Sequence, residues 1–413
     1  MNKVSRIAYR KVNKYDVIDF DYLSPIKFSQ SENTSERPRL NLILPKLNKK
    51  YVFGGISTAL KMFNTLASDM KMDKRIIITD VPLNKELESE YPDFSFNDTD
   101  KDMISEKSVS VCAADPLWRK NSKLPIKSND IFIATSWRTK FVFEDLIKAQ
   151  TKFFNKHNDM IYLIQDYEPG FFNWSSESML VDSTYKTKDT VAVFNSTQLK
   201  DYFTLNRYEF DAQIAFDPVL NESMKTTLSQ ESKRDSGNRQ NIILLYGRPF
   251  TDRNCFSLAV ASLNNFIERY SPDKSWKFIS VGTKHRNIEL SNGFKLSSLG
   301  KLSLDNYAKI LLNSRVGLSL MSSPHPSYPP LEMSTAGMQT VTNTFICKNL
   351  DNFNQNIISV ERTTFNNIAD ALQVAVTRSE SAKRDNLVDN SAYFLGDSQF
   401  DKVTTFIKDW FKL

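Results

Sequence analysis

A single acidic residue, Glu332, stands in a stretch that otherwise carries no Asp, Lys or Arg, SSPHPSYPPLEMSTAGMQTVTN (residues 322–343). Pro329 and Pro330 suit the first turn of a helix, because the backbone N–H groups of that turn have no intrahelical partner. The pattern therefore predicts a helix with the Glu332 carboxylate in its first turn. Two interpretations stay open. The carboxylate either complements the helix dipole, worth about 0.3–1 kcal/mol, or accepts hydrogen bonds from the vicinal hydroxyls of a ribose.

Two arginines follow a predicted strand in the segment YGRPFTDRN (residues 246–254). Gly247 allows a turn, Arg248 and Arg253 come next, and a helix is predicted from about Cys255. Guanidinium groups offer forked donors and a helix N-terminus adds partial positive charge, so the segment suits a diphosphate. A solvated loop that happens to contain two arginines is the alternative.

The first half of the chain offers two weaker candidate sites. In FGGISTAL (residues 53–60), Gly54 and Gly55 open a predicted helix and could present backbone N–H groups to an anion or a sugar. In YLIQDYEPGFFNW (residues 162–174), the carboxylates of Asp166 and Glu168 follow a predicted strand and precede three aromatic residues. Carboxylates with aromatic rings suit sugar binding, although the aromatics could instead pack on the next helix.

Metal-binding patterns are weak in this sequence. Asp-x-Asp occurs at residues 19–21, 98–100 and 100–102, and a metal-dependent sugar transferase uses such a pair to hold a cation on a diphosphate. The last two lie in a polar loop, which favours a solvated acidic segment. No ligand spacing connects the three histidines, His157, His285 and His325. His325 is interpreted as a loop residue, and the sequence predicts no metal site and no cofactor.

The elements that position these residues alternate between strands and helices from residue 39 onward. Such alternation predicts an α/β fold with parallel sheets, whose ligands bind beyond the carboxyl ends of the strands. The polar stretch 221–240 lacks apolar periodicity and is interpreted as a domain boundary. We therefore expect two Rossmann-like, doubly wound domains that face a cleft. The expected segments are an N-terminal extension (1–38), a first domain (39–225), a second domain (240–395) and a C-terminal helix that packs back on the first domain (396–413).

Composition excludes several classes of protein. The 413 residues are 40% hydrophobic and 25% charged, as in a folded globular chain. No apolar run reaches the length of a transmembrane helix, and the basic N-terminus has no apolar segment of a signal peptide behind it. The three cysteines lie far apart and favour a reducing cytoplasm. The net charge of +6 does not distinguish nucleic acid, a membrane surface or a phosphorylated ligand as partner.

The second half resembles the GT-B glycosyltransferases of glycosyltransferase family 4, over roughly residues 239–345. Members carry a strand that ends in Gly-Arg with a basic residue five positions later, here Gly247, Arg248 and Arg253. The segment LGKLSLDNYAKILLNSRVGLSLMSSP also fits the family. The block PHPSYPPLEMSTAGMQTV is similar to the family's EGFGLPPLEAMACGLPVV, with matching residues at Glu332, Ala336, Gly337 and Val341. The first half resembles the family more loosely, through FGGISTAL, IYLIQDYEP and VAVFNS.

The resemblance implies roles for residues that the motifs contain. Glu332 would accept hydrogen bonds from the sugar hydroxyls of the nucleotide, and Tyr328 would also contact the nucleotide. Arg248, Arg253 and Lys301 would neutralise the diphosphate leaving group, so no metal would be needed. Gly247 would form the turn that carries the first arginine.

The same resemblance implies which residues face the acceptor and the reacting centre. Gly54 and Gly55 would form a phosphate or acceptor loop, and Asp166 and Glu168 would join Arg248 as catalytic residues. The family's paired acids lie eight residues apart, and the first would fall at Pro324, so this chain lacks one of them.

The motif QDYEP with its aromatics is most similar to rhamnosyltransferases that use dTDP-β-L-rhamnose to build bacterial S-layer glycans. The implied partners are this donor and a rhamnose-containing, lipid-linked glycan, with peripheral membrane contact at the cytoplasmic face and no nucleic acid. A retaining mechanism is expected from the family. Two alternatives stay open: a metal-dependent transferase of GT-A type, and a non-catalytic protein that binds nucleotides or carbohydrates on a GT-B framework.

Overall fold

The computed structural model describes residues 20–32, 35–47, 54–81, 89–92, 94–97, 109–113, 119, 123–234, 239–380, 394–396 and 399–413. The chain divides into two compact units. The first unit consists of the chain up to Asn195 with Phe203–Phe216 and Phe400–Leu413, and the second consists of Ser196–Tyr202 with Asp217–Gln399. Among the helices of the described residues, none combines the length and apolar character needed to cross a bilayer.

The first unit is built on a parallel sheet. Its strands are β1 (Phe28–Gln30), β2 (Arg39–Leu44), β3 (Asp73–Ile78), β4 (Phe94–Asn97), β5 (Val109–Ala113), β6 (Leu124–Ile126), β7 (Asp130–Ala134), β8 (Met160–Ile164), β9 (Thr190–Phe194) and β10 (Ala212–Ala215). Eight of them form one sheet in the order β10-β9-β8-β7-β2-β3-β5-β4, with every pair parallel. Strands β1 and β6 pair with each other.

The described helices of the first unit include the first and the last helix of the described chain. They are α1 (Phe20–Leu23), α2 (Gly55–Asp69), α3 (Trp137–Val142), α4 (Leu146–Phe154), α5 (Ser176–Ser183), α6 (Thr197–Leu205, shared with the second unit) and, last in the chain, a helix over Asp401–Phe411. This last helix buries Val403 and Ile407 in the core formed by β2, β3 and α2. Its Trp410 Nε1 donates to Asp159 Oδ2 at 3.0 Å.

The second unit repeats the arrangement around seven strands. They are β11 (Gln240–Gly247), β12 (Lys277–Gly282), β13 (Ile288–Glu289), β14 (Lys295–Gly300), β15 (Ser314–Leu318), β16 (Gln339–Asn343) and β17 (Ile357–Val360). The helices are α7 (Glu222–Arg234), α8 (Phe256–Tyr270), α9 (Leu304–Asn313), α10 (Tyr328–Thr335) and α11 (Phe365–Glu380), so the C-terminal helix is α12. The strand order is β13-β14-β12-β11-β15-β16-β17, and only the edge pair β13–β14 is antiparallel among these described strands.

Continuous apolar runs explain why these strands occupy the centre of each unit. Every residue of β8 (MIYLI) and β9 (TVAVF) is buried. A strand that is covered on both faces has no polar face to alternate with, so it becomes uniformly apolar. Helix α2 instead buries Ala59, Phe63 and Leu66 at helical spacing and exposes its other side. The predicted α/β class with two doubly wound sheets is therefore confirmed.

One sequence interpretation is wrong. The segment 221–240 was expected to lack periodic structure, yet most of it forms α7. Leu220, Met224 and Leu228 recur every four residues and are buried in one core with residues of α9. A sparse apolar stripe is sufficient here because described residues next to these buried positions are exposed to solvent. The chain passes into the second unit after Phe216, and the short segment Ser196–Tyr202 also belongs to that unit.

The expected N-terminal extension contains packed structure in its described part. Leu23, Ile26 and Phe28 are buried. Arg119 donates to the carbonyl oxygens of Tyr22 and Ser24 at 2.6 and 3.1 Å. These contacts attach residues 22–28 to the first unit.

Among the described parallel strands, each sheet has a position between two central strands where the strand order reverses direction. In the first sheet it lies between β2 and β7, and in the second between β11 and β15. At such a position the loops from two neighbouring strands leave in opposite directions and open a crevice beyond their carboxyl ends. The Gly247–Arg253 segment follows β11 and the proline-rich segment follows β15, so both second-half motifs lie at this position.

A buried ion-pair network stabilises the amino end of the first sheet. Asp130 Oδ1 and Oδ2 accept hydrogen bonds from Arg39 Nε and Nη2 at 2.7 and 2.8 Å. Arg75 Nη2 lies 3.4 Å from Asp130 Oδ2, and the Lys127 N–H donates to the same oxygen at 2.8 Å. Burial alone would raise the pKa of Asp130, but the charges and hydrogen bonds of Arg39 and Arg75 hold that pKa below its usual value.

We predict that Asp130→Asn destabilises the protein by about 3–5 kcal/mol, because two buried guanidinium groups lose their carboxylate. Guanidinium chloride denaturation at neutral pH measures this change. The control is Asp145→Asn, whose side chain is 48% exposed and pairs with Lys148 on the surface; its cost should stay below about 1 kcal/mol. Equal costs for the two variants would contradict the prediction.

Candidate functional site

The end of β11 leaves no room for a side chain. A Cβ atom at Gly247 would lie 2.3 Å from Ser280 Oγ on the neighbouring strand β12. At Gly282, where φ is +122°, a Cβ would lie 2.6 Å from the carbonyl oxygen of Gly247. That same oxygen accepts a hydrogen bond from Thr283 N at 2.9 Å. The two strand ends thus pack closely, and Arg248 leaves the sheet at a fixed point.

A backbone hydrogen bond joins the loops that follow β11 and β15. Arg253 lies in a one-turn 3-10 helix, Asp252–Asn254, directly before α8. Its carbonyl oxygen accepts from Ser322 N at 2.7 Å. Met321, next to Ser322, is held by Asn343 at the end of β16, whose Oδ1 accepts from Met321 N at 2.8 Å. The arginine loop and the proline-rich loop are therefore fixed relative to each other.

The pKa of Tyr246 responds to three charged residues that the sequence analysis singled out. Burial raises the pKa of Tyr246, the positive charges of Arg248 and Arg253 lower it, and the negative charge of Glu332 raises it. Three charged residues, two from the segment after β11 and one from α10, therefore act on the hydroxyl group of the half-buried Tyr246. The structure brings together the two arginines and the carboxylate that the sequence singled out.

Glu332 does not lie where the sequence predicted. Helix α10 begins at Tyr328 and has no acidic residue in its first turn, so Glu332 belongs to the second turn. The helix includes Tyr328 itself, which moves every later residue further from the N-terminus than expected. The helix dipole is felt mainly at the terminal turn, so dipole complementarity does not explain this acid.

The environment of the Glu332 carboxyl group is unfavourable to its charge. Burial raises the pKa of Glu332 to about 7, and interaction with the Tyr307 hydroxyl of α9 lowers it only in part. Tyr307 Oη makes no hydrogen bond of ordinary geometry with any described residue. A desolvated carboxyl group beside a buried hydroxyl group that lacks an ordinary hydrogen bond is an arrangement typical of functional sites.

Lys301 and Tyr328 lie at the same end of the sheet as the arginines. Lys301 is exposed and directly follows β14, which is separated from β11 by one strand. Two strand spacings amount to about 10 Å, which long side chains can span. Tyr328 is half-buried at the start of α10, and its ring centroid lies 6.2 Å from that of His325.

His325 fixes the proline-rich loop from within. Its Nδ1 accepts a hydrogen bond from Ser327 N at 3.0 Å, and its own N–H donates to Ser323 Oγ at 3.1 Å. Ser327 has a φ of +70°, a strained value for a residue with a side chain. At the start of the loop, the carbonyl oxygen of Met321 accepts a hydrogen bond from Lys348 Nζ at 2.8 Å.

The other nitrogen of His325 is buried without a partner among the described residues. The residue is 5% exposed, and Nε2 makes no hydrogen bond there. Burial, followed by the charges of Lys348 and Arg253, lowers the pKa of His325 to about 3. The ring is therefore neutral, and because Nδ1 is an acceptor, the proton is on Nε2.

Two further buried oxygens on these loops lack partners within the described part of the chain. They are Ser319 Oγ, directly after β15, and Asn254 Oδ1, in the 3-10 helix. Buried polar atoms are usually hydrogen-bonded in folded proteins, so unpartnered ones require an explanation. Their position beyond β11 and β15 matches the crevice in which such folds bind ligands.

Sequence reasoning missed Tyr307, Lys348, Ser319 and Asn254. They lie on four separate segments of the second unit, and no spacing in the sequence connects them. His325 was noticed but interpreted as an ordinary loop residue. Its position inside the run of prolines was the available signal, because a rigid loop fixes the direction of the side chain that it carries.

The candidate residues of the first half lie in the first unit. Gly54 and Gly55 are exposed at the start of α2, where Gly54 has a φ of +54°. A Cβ at Gly55 would lie 2.7 Å from Gln165 Oε1, a buried oxygen that has no partner among the described residues. The glycine loop and the end of β8 are therefore neighbours.

The two predicted catalytic acids are held by backbone donors. Asp166 is buried, and its Oδ1 accepts from Tyr167 N at 2.9 Å. Glu168 Oε2 accepts from Trp137 N at 2.6 Å, at the start of α3. Each carboxylate thus has a structural role, and its proposed catalytic role is not needed to explain its position.

The aromatics that follow these acids divide into two groups. Phe172 packs edge-on against Trp137, with ring centroids 6.1 Å apart. Phe171 and Trp174 are exposed, and Trp174 is fully so. The fully exposed Trp174 offers a ring face for stacking, whereas Phe172 fits the alternative in which these aromatics pack on a neighbouring helix.

One group of side chains in the described residues has the arrangement of metal ligands. His157, Asp159 and Asp189 lie within reach of one another in the first unit. His157 already contacts Asp189 at 3.3 Å and Thr151 at 3.0 Å, and Asp159 accepts from Trp410. This group lies before β8 and β9, at the amino ends of the strands. The three Asp-x-Asp sequences extend into or lie within residues outside the described part.

Two family models match the chain in order. The model described as WsaF, N-terminal domain, matches residues 39–197, and the model described as WsaF, C-terminal domain, matches residues 241–373. The two matches begin at β2 and within β11, the first strands of the two large sheets. Together they span most of both units.

Solved structures of low sequence identity share the fold. Sucrose-phosphate synthase from Thermosynechococcus elongatus aligns with a TM-score of 0.57 and 10% identity, over 91% of this chain and 98% of that chain. Anabaena Alr3699/HepE in complex with UDP-glucose aligns with a TM-score of 0.59 and 10% identity, over 90% and 99%. The chain is a glycosyltransferase of the GT-B fold. Its two separate sheets exclude the GT-A alternative, and the family matches favour a transferase over a non-catalytic binding protein.

A curated relative of the transferase is the O-antigen biosynthesis protein RfbC of Myxococcus xanthus. The two are 27% identical over 183 residues, which is 44% of this chain and 14% of RfbC. The transferase thus spans only a small part of the length of that relative.

We predict that Glu332→Gln stabilises the ligand-free transferase at about pH 8. At pH values below the ordinary pKa of 4.5, the carboxyl group is protonated in both the folded and the unfolded chain. Between there and its folded pKa of about 7, only the unfolded chain ionises, so the wild type loses stability as pH rises. The full loss is on the order of 3 kcal/mol above pH 7.

Urea denaturation at about pH 4.5 and pH 8 tests this prediction. The wild type and Glu332→Gln should have similar stability at the lower pH and diverge at the higher one. Glu361→Gln, an exposed acid in the same unit, is the matched control and should follow the wild type. A Glu332→Gln variant that is less stable than the wild type at pH 8 would contradict the buried-charge account.

Proposed function

We propose that the transferase moves rhamnose from dTDP-β-L-rhamnose to a growing cell-surface glycan of the S-layer type, with retention of configuration and without a metal. The observation that carries the nucleotide-sugar part is the convergence of Arg248, Arg253 and Glu332 on Tyr246, at the reversal of strand order. A crevice with two guanidinium groups and one carboxylate suits a ligand with a diphosphate and vicinal hydroxyls.

In this proposal, the nucleoside part of the nucleotide sugar binds beside Glu332. The Glu332 carboxylate accepts hydrogen bonds from the sugar hydroxyls of the nucleotide, with Tyr307 and Tyr328 beside it. Binding the hydroxyls replaces part of the hydration that burial removed from Glu332. The free energy that the empty site loses to the buried charge is thereby partly recovered when the donor binds.

The arginines act on the group that develops charge. When the bond between the sugar and the diphosphate breaks, its electron pair moves to the diphosphate oxygen. Arg248 and Arg253, with Lys301 from β14, stabilise that negative charge and can do so without a divalent cation. The close packing of Gly247 against Ser280 limits how far Arg248 can shift, which supports preorganisation.

The acceptor side is assigned to the first unit. Asp166 and Glu168 are the acids proposed to act near the acceptor, and Gly54 and Gly55 contribute the acceptor or phosphate loop. Trp174, which is fully exposed, offers a ring face for stacking on a sugar.

Similarities in sequence support both the proposed cell-surface glycan and the proposed rhamnose donor. Both WsaF domain models match, and the sequence motif QDYEP with its aromatics resembles rhamnosyltransferases of S-layer assembly. The relative from Myxococcus xanthus is named for O-antigen biosynthesis, which is also a cell-surface glycan. We accordingly propose a lipid-linked, rhamnose-containing acceptor at the cytoplasmic face of the membrane, with peripheral contact and no nucleic acid partner.

We predict that dTDP binds more tightly than UDP, GDP or ADP in isothermal titration calorimetry. Glu332→Gln should weaken dTDP binding about tenfold to a hundredfold, the effect of losing a hydrogen bond to a charged group. Glu361→Gln is again the control and should bind as the wild type does. Unchanged affinity in Glu332→Gln would overturn the proposed contact between Glu332 and the sugar hydroxyls.

A transfer assay with dTDP-β-L-rhamnose and a rhamnose-terminated oligosaccharide tests the reaction. We expect product formation to continue in excess EDTA, because the cationic side chains take the place of a metal. Transfer from a UDP-sugar but not from dTDP-rhamnose would overturn the donor assignment. Loss of transfer in EDTA that added Mg²⁺ restores would overturn the metal-free mechanism.

A further inference from the structure

We infer that His325 binds the nucleoside diphosphate by donating a hydrogen bond from its neutral ring to a phosphate oxygen. This inference rests on the proposed function, because it adds a contact to the donor site described above. It assigns a binding role to a residue that the arginine and glutamate motifs do not include.

The loop fixes both the direction and the tautomer of the ring. Ser327 N donates to His325 Nδ1, and this bond lies inside a loop that contains Pro324 and Pro326 and has a left-handed residue at Ser327. The proton of the neutral ring is therefore on Nε2. That N–H group is buried and has no acceptor among the described residues.

A buried donor without an acceptor lowers the stability of a folded protein, so the Nε2–H group of His325 points to an acceptor supplied by a ligand. The two charges that act on the ring belong to Arg253 and Lys348, and both are positive. Arg253 comes from the 3-10 helix after β11, and Lys348 from the turn after β16. Tyr328 of α10 completes the surroundings. An anionic oxygen is the acceptor that such surroundings favour, and the diphosphate is the anion that the proposed donor supplies.

The departure from the family pattern fits this assignment. Pro324 stands where the resemblance would place the first of two acids. A carboxylate at that position would bring negative charge close to Arg253 and Lys348 and would compete with a phosphate for them. The chain instead offers a neutral donor at the next residue, which adds a hydrogen bond and brings no negative charge near Arg253 and Lys348.

Two substitutions separate the ligand contact from the loop contact. In His325→Asn, the amide oxygen can keep the acceptor for Ser327 N, but the side chain is too short to supply a donor at the position of Nε2. In His325→Gln, the amide nitrogen can reach that position. The exposed His157 of the first unit provides the control, His157→Asn.

Calorimetry with dTDP and with thymidine, which has no phosphate, is the test. We expect His325→Asn to lose about tenfold in affinity for dTDP and to keep its affinity for thymidine, with a melting temperature near that of the wild type. His325→Gln should recover most of the lost affinity. Because the ring is neutral, the ratio of wild-type to His325→Asn affinity should stay constant between about pH 5.5 and pH 8.

Other outcomes overturn the inference. Affinity for dTDP within twofold of the wild type in His325→Asn would remove the phosphate contact. An equal loss for thymidine, or a loss that Gln does not restore, would assign His325 to loop structure alone. If the wild type prefers a different nucleoside diphosphate, the same series with that ligand still tests His325 while the dTDP proposal fails. Failure of the wild type to bind any nucleoside diphosphate would overturn both proposals.

Discussion

The hydrogen bond between Ser322 N and the carbonyl oxygen of Arg253 is the contact on which the site depends. It connects the loop after β11 with the loop after β15, where the order of the described parallel strands of the second sheet reverses. A reversal of strand order produces a crevice, but it does not set the distance between the two loops. This bond, together with the closely packed Gly247 and the Asn343 contacts to Met321, sets that distance. The relative positions of the arginines, His325 and Glu332 follow from it.

The site contains polar groups whose burial is unfavourable in the ligand-free protein. Glu332 is a carboxyl group whose pKa is raised to about 7 by burial, and His325 is a ring kept neutral by burial and by two cations. Tyr307 Oη and His325 Nε2 lack hydrogen-bond partners in the described structure. Buried polar groups that lack partners in the ligand-free protein are expected at sites where a ligand supplies those partners. The buried network around Asp130 is the opposite case, because its charges are paired within the protein.

The sequence predicted the parts of the site that depend on local chemistry. Gly247 with Arg248 and Arg253 could be recognised because a strand, a turn and a helix start follow one another along the chain. Helix α10 could be recognised from Pro329 and Pro330. Its first residue could not, since proline preferences do not decide whether Tyr328 joins the helix, and the turn that contains Glu332 changes with that residue.

What the sequence could not predict depends on contacts between distant segments. Tyr307 and Lys348 approach the site only because α9 and the turn after β16 pack beside the two loops. The tautomer of His325 depends on one backbone N–H group two residues away, which no composition or period reveals. Helix α7 was missed for a related reason: the three apolar residues in and just before it are too few for a clear pattern until α9 is there to cover them.

The central claim is that the crevice beyond β11 and β15 binds the nucleoside diphosphate of the donor. A crystal structure of the transferase with dTDP tests it most directly. The account predicts ribose hydroxyls within hydrogen-bonding distance of Glu332 and phosphate oxygens contacted by Arg248 and Arg253. A dTDP molecule bound only at Gly54 and Gly55 in the first unit, with the Arg253 and Glu332 side chains unliganded, would contradict it.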